Sequence, residues 1–396
     1  MKKLMILGAG ILQLPAILKA REMGIEVVAV DMDPHAVGFD KADIALEIST
    51  IDTPKVLQAA KEQCIDGIMT LASDMPMRTV AAVAKEMGLV GITADTALKA
   101  TDKAVMRACL QEHGVPIPQF FKATTYEEYQ QATAAFSVPF VVKPADNSGS
   151  RGIFQIDDPT DTQAIEDAYR YSKPFARGGT LVVEEFMRGS EVSVETLSVD
   201  GVCHVIQITD KLTTGAPHFV EMGHSQPTRL GDETAARIAE VAKAAVNAIG
   251  IQNGPSHTEI IVTEQGPKVV ELGARLGGDC ITTHLVPLST GVDMVECCIR
   301  IALGDAPDIT PKFQKGAAIR YLPSHQGFLK AIDGVETARG IDGVQQIEIV
   351  KTAGQTIPDI HSSGDRIGFV IAQHDSADAA VAAAMTALNQ IQVEIE

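Results

Sequence analysis

The sequence is short of positive charge. Its 396 residues carry 33 lysines and arginines against 51 aspartates and glutamates, a formal net charge of −18. Sequence-independent nucleic-acid binding needs a basic surface that displaces counterions from phosphates, so that class is excluded. Docking on anionic lipid fails on the same ground, and an anionic substrate requires a local positive pocket. Long hydrophobic runs are missing too: no apolar stretch reaches the ~20 residues that span a bilayer. Met1-Lys2-Lys3 followed by Leu4 to Leu18 superficially resembles a secretory leader. The run is broken by Gly8-Ala9-Gly10 and Gln13, lacks a clear small-residue cleavage site and leads straight into another strand. The six cysteines (Cys64, Cys109, Cys203, Cys280, Cys297, Cys298) lack CxxC spacing, which fits reduced thiols in the cytoplasm better than a disulfide framework or zinc site. There is no obvious repeat, and 45% hydrophobic content over this length supports two or three packed units.

Two phosphate-binding motifs are incomplete. Lys3 to Leu7 reads as a buried strand, Gly8-Ala9-Gly10 as a tight turn into a helix of about Gln13 to Met23, and Val27 to Asp31 as a second strand ending in an acid. This is the βαβ opening of a dinucleotide site. Gln13 stands where the third Gly of GxGxxG belongs, and that Gly permits close helix–strand packing, so the fingerprint is weak. An NAD-binding domain and an open α/β domain that packs against another unit are both compatible with it. Gly67 to Leu71 reads as a strand, Met75 to Met87 as a helix and Leu89 to Ile92 as a short strand. Asp102 opens a helix with Lys103 in its first turn, ending near His113-Gly114, and Pro116-Ile117-Pro118 marks a boundary.

The motif GxxxxGK[ST] is absent as well. Instead, the strand Phe140 to Pro144 ends in Lys143-Pro144, and Asp146-Asn147-Ser148-Gly149-Ser150-Arg151-Gly152 leads into a strand from Ile153 to Ile156. The unpaired N–H groups of such a loop, beside a lysine, can fold over phosphate oxygens; the plain alternative is a mere turn. Thr180 to Val183 is an apolar strand ending in Glu184-Glu185-Phe186-Met187, followed by the turn Arg188-Gly189 and a strand from Glu191 to Val199. A purine can hydrogen-bond to such an exposed strand end while Phe186 or Met187 packs its face and Glu191 accepts from sugar hydroxyls; the alternative is a domain-joining turn with solvated acids. Leu212 to Arg229 reads as a long polar loop of the kind that carries function, with His224 a donor or base near neutral pH or a structural residue. Glu233 to Ile249 has helical periodicity.

The runs Thr258 to Thr263 and Lys268 to Leu272 flank Glu264-Gln265-Gly266, a three-residue hairpin loop whose pairing sets Glu259 opposite Glu271. Their Cβ atoms are then ~5 Å apart. Carboxylates that close repel unless one is protonated or a cation intervenes, and Mg2+ takes one or two carboxylates together with phosphate oxygens and water. Arg275 follows four residues after Glu271, and Gly277-Gly278 comes next. The alternative is a solvated hairpin with surface glutamates. From about residue 310, short strands and a helix from Ser376 to Ile391, N-capped by Ser376, read as a small α+β cap.

In this order the Gly8-Ala9-Gly10 domain, Lys103, Lys143 with its Ser/Gly loop, Glu184 to Glu191, and Glu259/Glu271/Arg275 resemble the ATP-grasp family of carboxylate–amine ligases over nearly the whole chain. The resemblance implies an α/β and α+β protein: an N-terminal open parallel α/β (pre-ATP-grasp) domain at 1–115, ATP-grasp subdomains at 116–190 and 191–309, and a C-terminal α+β cap at 310–396. It implies ATP and Mg2+, or Mn2+ in its place. Lys103, Lys143, Ser148, Gly149 and Ser150 would contact phosphates; Glu184, Glu185, Phe186 and Met187 would border adenine; Glu191 would hold ribose, and Glu259 and Glu271 the metal.

Within the family, Glu221-x-x-His224-x-x-Pro227, His257-x-Glu259 and Glu271-x-x-x-Arg275-x-x-Gly278 resemble the dipeptide-forming L-amino-acid ligases. That implies substrate contacts at Glu221 and His257 and catalytic roles for Arg275, the Gly278 N–H and His224. It also implies small-molecule carboxylate and amine partners, no nucleic acid, no membrane, and makes a homodimer plausible. One departure stands out. Many members carry an Asn metal ligand two residues after the second glutamate, where this chain has Gly273. The competing readings are a purine-pathway or carboxylating ATP-grasp ligase, an NAD-dependent oxidoreductase, and an ATP-binding module that has lost catalysis.

Overall fold

The leading strands β1 (Lys3–Leu7), β2 (Glu26–Asp31), β3 (Ile44–Glu47) and β4 (Gly67–Met69) form a parallel sheet in the order β3-β2-β1-β4. Leu4 to Leu7 and Val27 to Val30 are fully buried, as expected of a parallel sheet covered on both faces. Its helices are α1 (Leu14–Glu22), α2 (Thr53–Gln63), α3 (Met77–Met87), α4 (Ala94–Lys99) and α5 (Lys103–Glu112). Asp102 caps α5 by accepting from the N–H groups of Ala104 and Val105. The strand expected at Leu89 to Ile92 does not form. Leu89 spends its N–H on the carbonyl of Ala84, closing α3 behind the left-handed Gly88. This computed structural model describes every residue except Ser148, Ser150, Pro217 and His218.

Next come β5 (Phe120–Ala123), α6 (Tyr126–Ala134), β6 (Phe140–Pro144), β7 (Phe154–Ile156), α7 (Thr162–Ser172) and β8 (Leu181–Glu185). Their antiparallel sheet has the order β5-β8-β6-β7. An eight-stranded sheet then starts with β9 (Ser190–Val199), β10 (Val202–Thr213) and β11 (Glu221–Gln226). It continues, after α8 (Asp232–Ile249), with β12 (Gly254–Thr263) and β13 (Gly266–Gly273).

The polar stretch expected to be one long loop is therefore partly strand, at Leu212 and Thr213 and over β11. His224 pairs with Lys211 on β10, and inside the sheet the buried Gln226 of β11 finds partners: it donates to Thr209 Oγ1 at 2.9 Å and accepts from Ser289 Oγ at 2.9 Å.

After α9 (Val286–Thr290) and α10 (Met294–Ala302) come β14 (Gly316–Tyr321), β15 (Gly327–Asp333), α11 (Val335–Arg339), β16 (Val344–Ile349), β17 (Thr356–Ile357), β18 (Gly368–His374), α12 (Ala377–Gln390) and β19 (Gln392–Ile395). The large sheet runs β13-β12-β9-β10-β11-β14-β18-β16, and β17-β15-β19 make a small sheet beside it. Ser376 caps α12, which buries Ala380, Ala384 and Ala387. The architecture is an N-terminal parallel α/β domain, two further α+β layers and a C-terminal α+β cap.

Candidate active site

The β12–β13 hairpin reaches the expected pairing by an unexpected route. Thr263 pairs with Gly266, so the loop is the two residues Glu264-Gln265 rather than three. This register alone would set Glu271 out of step with Glu259. A bulge at Val270 then adds one residue to β13, and Glu259 faces Glu271 after all. The bulge is held from outside: Arg107 on α5 donates to the carbonyls of Val269 (3.0 Å) and Val270 (2.7 Å).

A cavity of about 1800 Å3 lies over this hairpin. Every described residue assigned a site role from sequence lines it: Lys103, Lys143, Gly149, Glu184 to Met187, Glu191, Glu221, His224, His257, Glu259, Glu271, Arg275 and Gly278. Ser148 and Ser150 fall outside the described residues.

At one end Lys143 Nζ lies 2.6 Å from Glu184 Oε2, and Arg107 Nε lies 2.7 Å from Glu184 Oε1. Glu184 is thus held by two cations at the base of the cavity. Burial would raise its pKa, but the charges of Arg107 and Lys143 bring it down to about 2. Lys143 is pushed below its ordinary value, first by burial and then by Arg107 and Lys103, against the pull of Glu184. Glu185 faces Lys268 at 3.4 Å. Phe186 packs with Phe219, their centroids 6.3 Å apart, under the guanidinium of Arg188, and Met187 is buried beside it. This makes an aromatic wall next to a strand end.

The acids of the other end converge on Lys211, a residue that the sequence reading passed over. Its Nζ lies 2.6 Å from Glu191, 3.0 Å from Glu259 and 3.6 Å from Glu221. Despite burial, the three carboxylates lift the lysine well above its ordinary pKa. Lys103 Nζ lies 2.9 Å from Glu271 Oε2 and donates to the carbonyl of Asn147 at 2.7 Å. His257 shares its Nδ1 proton with the buried Glu195 at 2.7 Å and sets Nε2 3.5 Å from Glu259. Burial works against the charged ring, but Glu195 lifts it to about 9.

Arg275 is clasped by Asp74, Nε to Oδ1 at 2.9 Å and Nη2 to Oδ2 at 3.0 Å. His224 is buried on β11 with Nε2 3.6 Å from Asp279, which Arg366 grips through both oxygens at 2.9 and 2.7 Å. Arg366 in turn lies over the Tyr321 ring at 3.7 Å. Asp74, Arg107, Lys211, Glu195, Asp279 and Arg366 were all missed as site residues. Each acts through a partner distant in sequence, which spacing alone does not reveal.

No set of three or more His, Cys, Asp and Glu among the described residues is arranged to hold a metal alone. Glu259 and Glu271 are hard oxygen donors on facing strands, and the adjacent lysine-bearing end suits phosphate. The donor set fits a divalent ion that takes its remaining ligands from ATP oxygens and water.

The ATP-grasp domain family matches residues 136–283, and L-amino acid ligase C-terminal domain 2 matches residues 320–396. The crystal structure of an L-amino acid ligase from Bacillus licheniformis superposes with a TM-score of 0.84 at 25% identity, covering 100% of this chain and 99% of that one. The chain is an ATP-grasp superfamily ligase, related to the L-amino-acid ligases.

An L-arginine-specific L-amino acid ligase of Bacillus subtilis is 25% identical over 70% of this chain and 67% of its own length. A formate-dependent phosphoribosylglycinamide formyltransferase of Actinobacillus pleuropneumoniae is 22% identical over 99% of this chain and 97% of its own. The ligase is ATP-dependent and forms C–N bonds, and its ATP-grasp domain implies the use of Mg2+ with ATP. The leading domain carries no free dinucleotide turn: the Gln13 side chain lies over Gly8, and Asp31 accepts the Ala9 N–H at 2.8 Å. Among the described residues, no helix is long and apolar enough to cross a membrane.

Proposed function

We propose that the chain activates a small carboxylate with ATP and transfers the acyl group to an amine, the observation carrying this being the Glu259–Glu271 pair set beside the Lys143 end of one cavity. A substrate carboxylate oxygen attacks the γ-phosphorus, the bond to the bridging oxygen breaks, and ADP leaves from an acyl phosphate. Lys103 and Lys143 offset charge on the phosphates, and a bound Mg2+ would supply Lewis-acid neutralisation of the same oxygens. The amine nitrogen then attacks the acyl carbon, Arg275 and the Gly278 N–H stabilise the tetrahedral oxyanion, and inorganic phosphate leaves as the nitrogen loses a proton. Phe186 and Met187 pack the adenine, and Glu191 takes the ribose hydroxyls. Glu221, His224 and His257 stand on the acceptor side.

Two acceptor readings remain. The purine-pathway or carboxylating reading draws more support from the comparisons, since the formyltransferase relative aligns end to end in sequence whereas the L-arginine-specific ligase aligns over part of each chain, although the amino-acid ligase crystal structure superposes over the whole chain. The amino-acid reading is supported by the C-terminal domain match and by the state of two of the arginines that line the cavity. Arg229 and Arg366 already hold carboxylates, Asp210 and Asp279, which leaves these two poorly disposed toward a phosphorylated acceptor.

Phosphate release from ATP, with Mg2+ or Mn2+, is the test. One panel pairs amino acids and small carboxylates; the other supplies formate or bicarbonate with glycinamide and aminoimidazole ribonucleotides. Amine-dependent release in one panel selects that acceptor class. Release in neither overturns the proposal.

A further inference from the structure

We propose that Asp74, on the loop after β4 of the N-terminal domain, is a positioning residue that holds the Arg275 guanidinium over the reaction centre, and that Gly273 is the residue that admits it. The inference rests on the role given to Arg275 above.

Three observations carry it. First, Asp74 and Arg275 make a two-bond fork at 2.9 and 3.0 Å, in a fixed orientation that a single contact would not impose. Their side chains are only 16% and 13% exposed, so both face the cavity rather than bulk solvent. Second, the pair occupies the space that a side chain at 273 would need. A Cβ on Gly273 would stand 2.7 Å from Asp74 Oδ1 and 3.1 Å from Arg275 Nε. The missing side chain on the hairpin is thus matched by a carboxylate delivered from 199 residues earlier in the chain, Asp74 to Gly273. Third, the delivering loop is fastened. Gln13 Nε2 donates to the Leu71 carbonyl at 2.6 Å, Thr70 Oγ1 donates to the Leu7 carbonyl at 2.7 Å, and Ala72 is held at φ +56. A non-glycine residue in that conformation costs energy and persists where its surroundings impose it. The Gln13 that spoils the dinucleotide fingerprint therefore has a use: it anchors the loop that carries Asp74.

The charge balance agrees with the geometry. Burial alone would raise the Asp74 carboxyl, yet Arg275, Lys103 and His257 hold it below its ordinary value, so it stays ionised beside Arg275.

The kinetic test uses the full chain and four variants: Asp74→Asn, Asp74→Glu, Gly273→Ala and Arg275→Ala. In turnover with the acceptor pair found by the screen, Asp74→Asn and Gly273→Ala should each lower kcat by about 100-fold, the scale of a misplaced catalytic group. The dissociation constant of MgATP should stay within about twofold, because the nucleotide contacts lie elsewhere. Asp74→Glu should restore part of kcat. Unchanged kcat in Asp74→Asn would overturn the proposal, whatever happens to thermal stability. A parallel loss of MgATP affinity would also overturn it, by making Asp74 a general structural residue.

Failure of the ligase reading itself has a different signature: the unmodified chain would then release no phosphate with any acceptor. In that case the Tm values of Asp74→Ala, Arg275→Ala and the double variant decide the positioning claim. Non-additive shifts support it, and additive shifts refute it.

Discussion

The two ends of the cavity are built from the same chemistry in opposite proportions. At the Lys143 end, two cations, Arg107 and Lys143, enclose one carboxylate, Glu184, and all three side chains are at most 6% exposed. At the hairpin end, one cation, Lys211, is shared by Glu191, Glu221 and Glu259, whose side chains are 23–27% exposed. The first cluster is sealed and carries an excess of positive charge; the second is open to the cavity with an excess of negative charge. A sealed cluster costs desolvation energy once, on folding, and stays fixed. An open acidic cluster keeps room for a further cation. The contrast matches the proposed division of labour: phosphate recognition at one end, and ribose, metal and acceptor at the other.

The contrast can be broken most forcefully at Glu184. Glu184→Ala leaves Arg107 and Lys143 buried without their counter-charge and removes the anchor of Arg107, which caps the Val270 bulge. A stability loss of about 3–5 kcal/mol is expected, read by urea unfolding. Acid should probe the same residue more gently. Its pKa falls from the ordinary 4.5 to about 2 on folding, so its contribution is complete above pH 4.5 and is lost as pH falls toward 2. That contribution is about 3 kcal/mol. Unfolding free energies measured from pH 5 down to 2 should show this slope in the parent protein and lose it in Glu184→Gln.

The hairpin end should answer differently. Lys211→Met removes the cation shared by three acids, and a stability loss of about 1–3 kcal/mol is expected. Excess Mg2+ should reverse it in denaturant melts, whereas Mg2+ should do nothing for Glu184→Ala. The smallest effect is expected at the aromatic wall. Phe186→Ala should weaken ATP binding by about 1 kcal/mol, near fivefold, with kcat nearly unchanged, as read by calorimetry and steady-state rates.

How much of this was legible from sequence depended on how far each residue's partner lies along the chain. The Lys3–Leu7 and Phe140–Pro144 strands, the Asp102 and Ser376 caps and the Glu259–Glu271 pairing are set by local patterning, and their residues could be read in place. Even there the pairing hid a two-residue loop and a compensating bulge, because the carbonyls that stabilise the bulge answer to Arg107, 162 residues from Val269. β11 reads as loop in sequence because its backbone pairs with β10 and β14 and its Gln226 bonds to β10 and α9, which polarity along one segment cannot show. Lys211 and Asp74 look like ordinary surface charges until the sheet folds them against their partners. Gly273, a puzzling absence in the sequence, becomes intelligible only with Asp74 beside it.

The central claim is that Glu259 and Glu271 hold a divalent ion together with ATP. Its most direct measurement is Mn2+ binding by electron paramagnetic resonance at saturating non-hydrolysable ATP analogue, in the parent protein and in Glu259→Gln/Glu271→Gln. Parent protein that retains Mn2+ at least about tenfold more tightly than the double variant, the scale of ~1.4 kcal/mol, is the predicted result. Equal Mn2+ affinity in the two proteins, with both still binding the nucleotide, would contradict it.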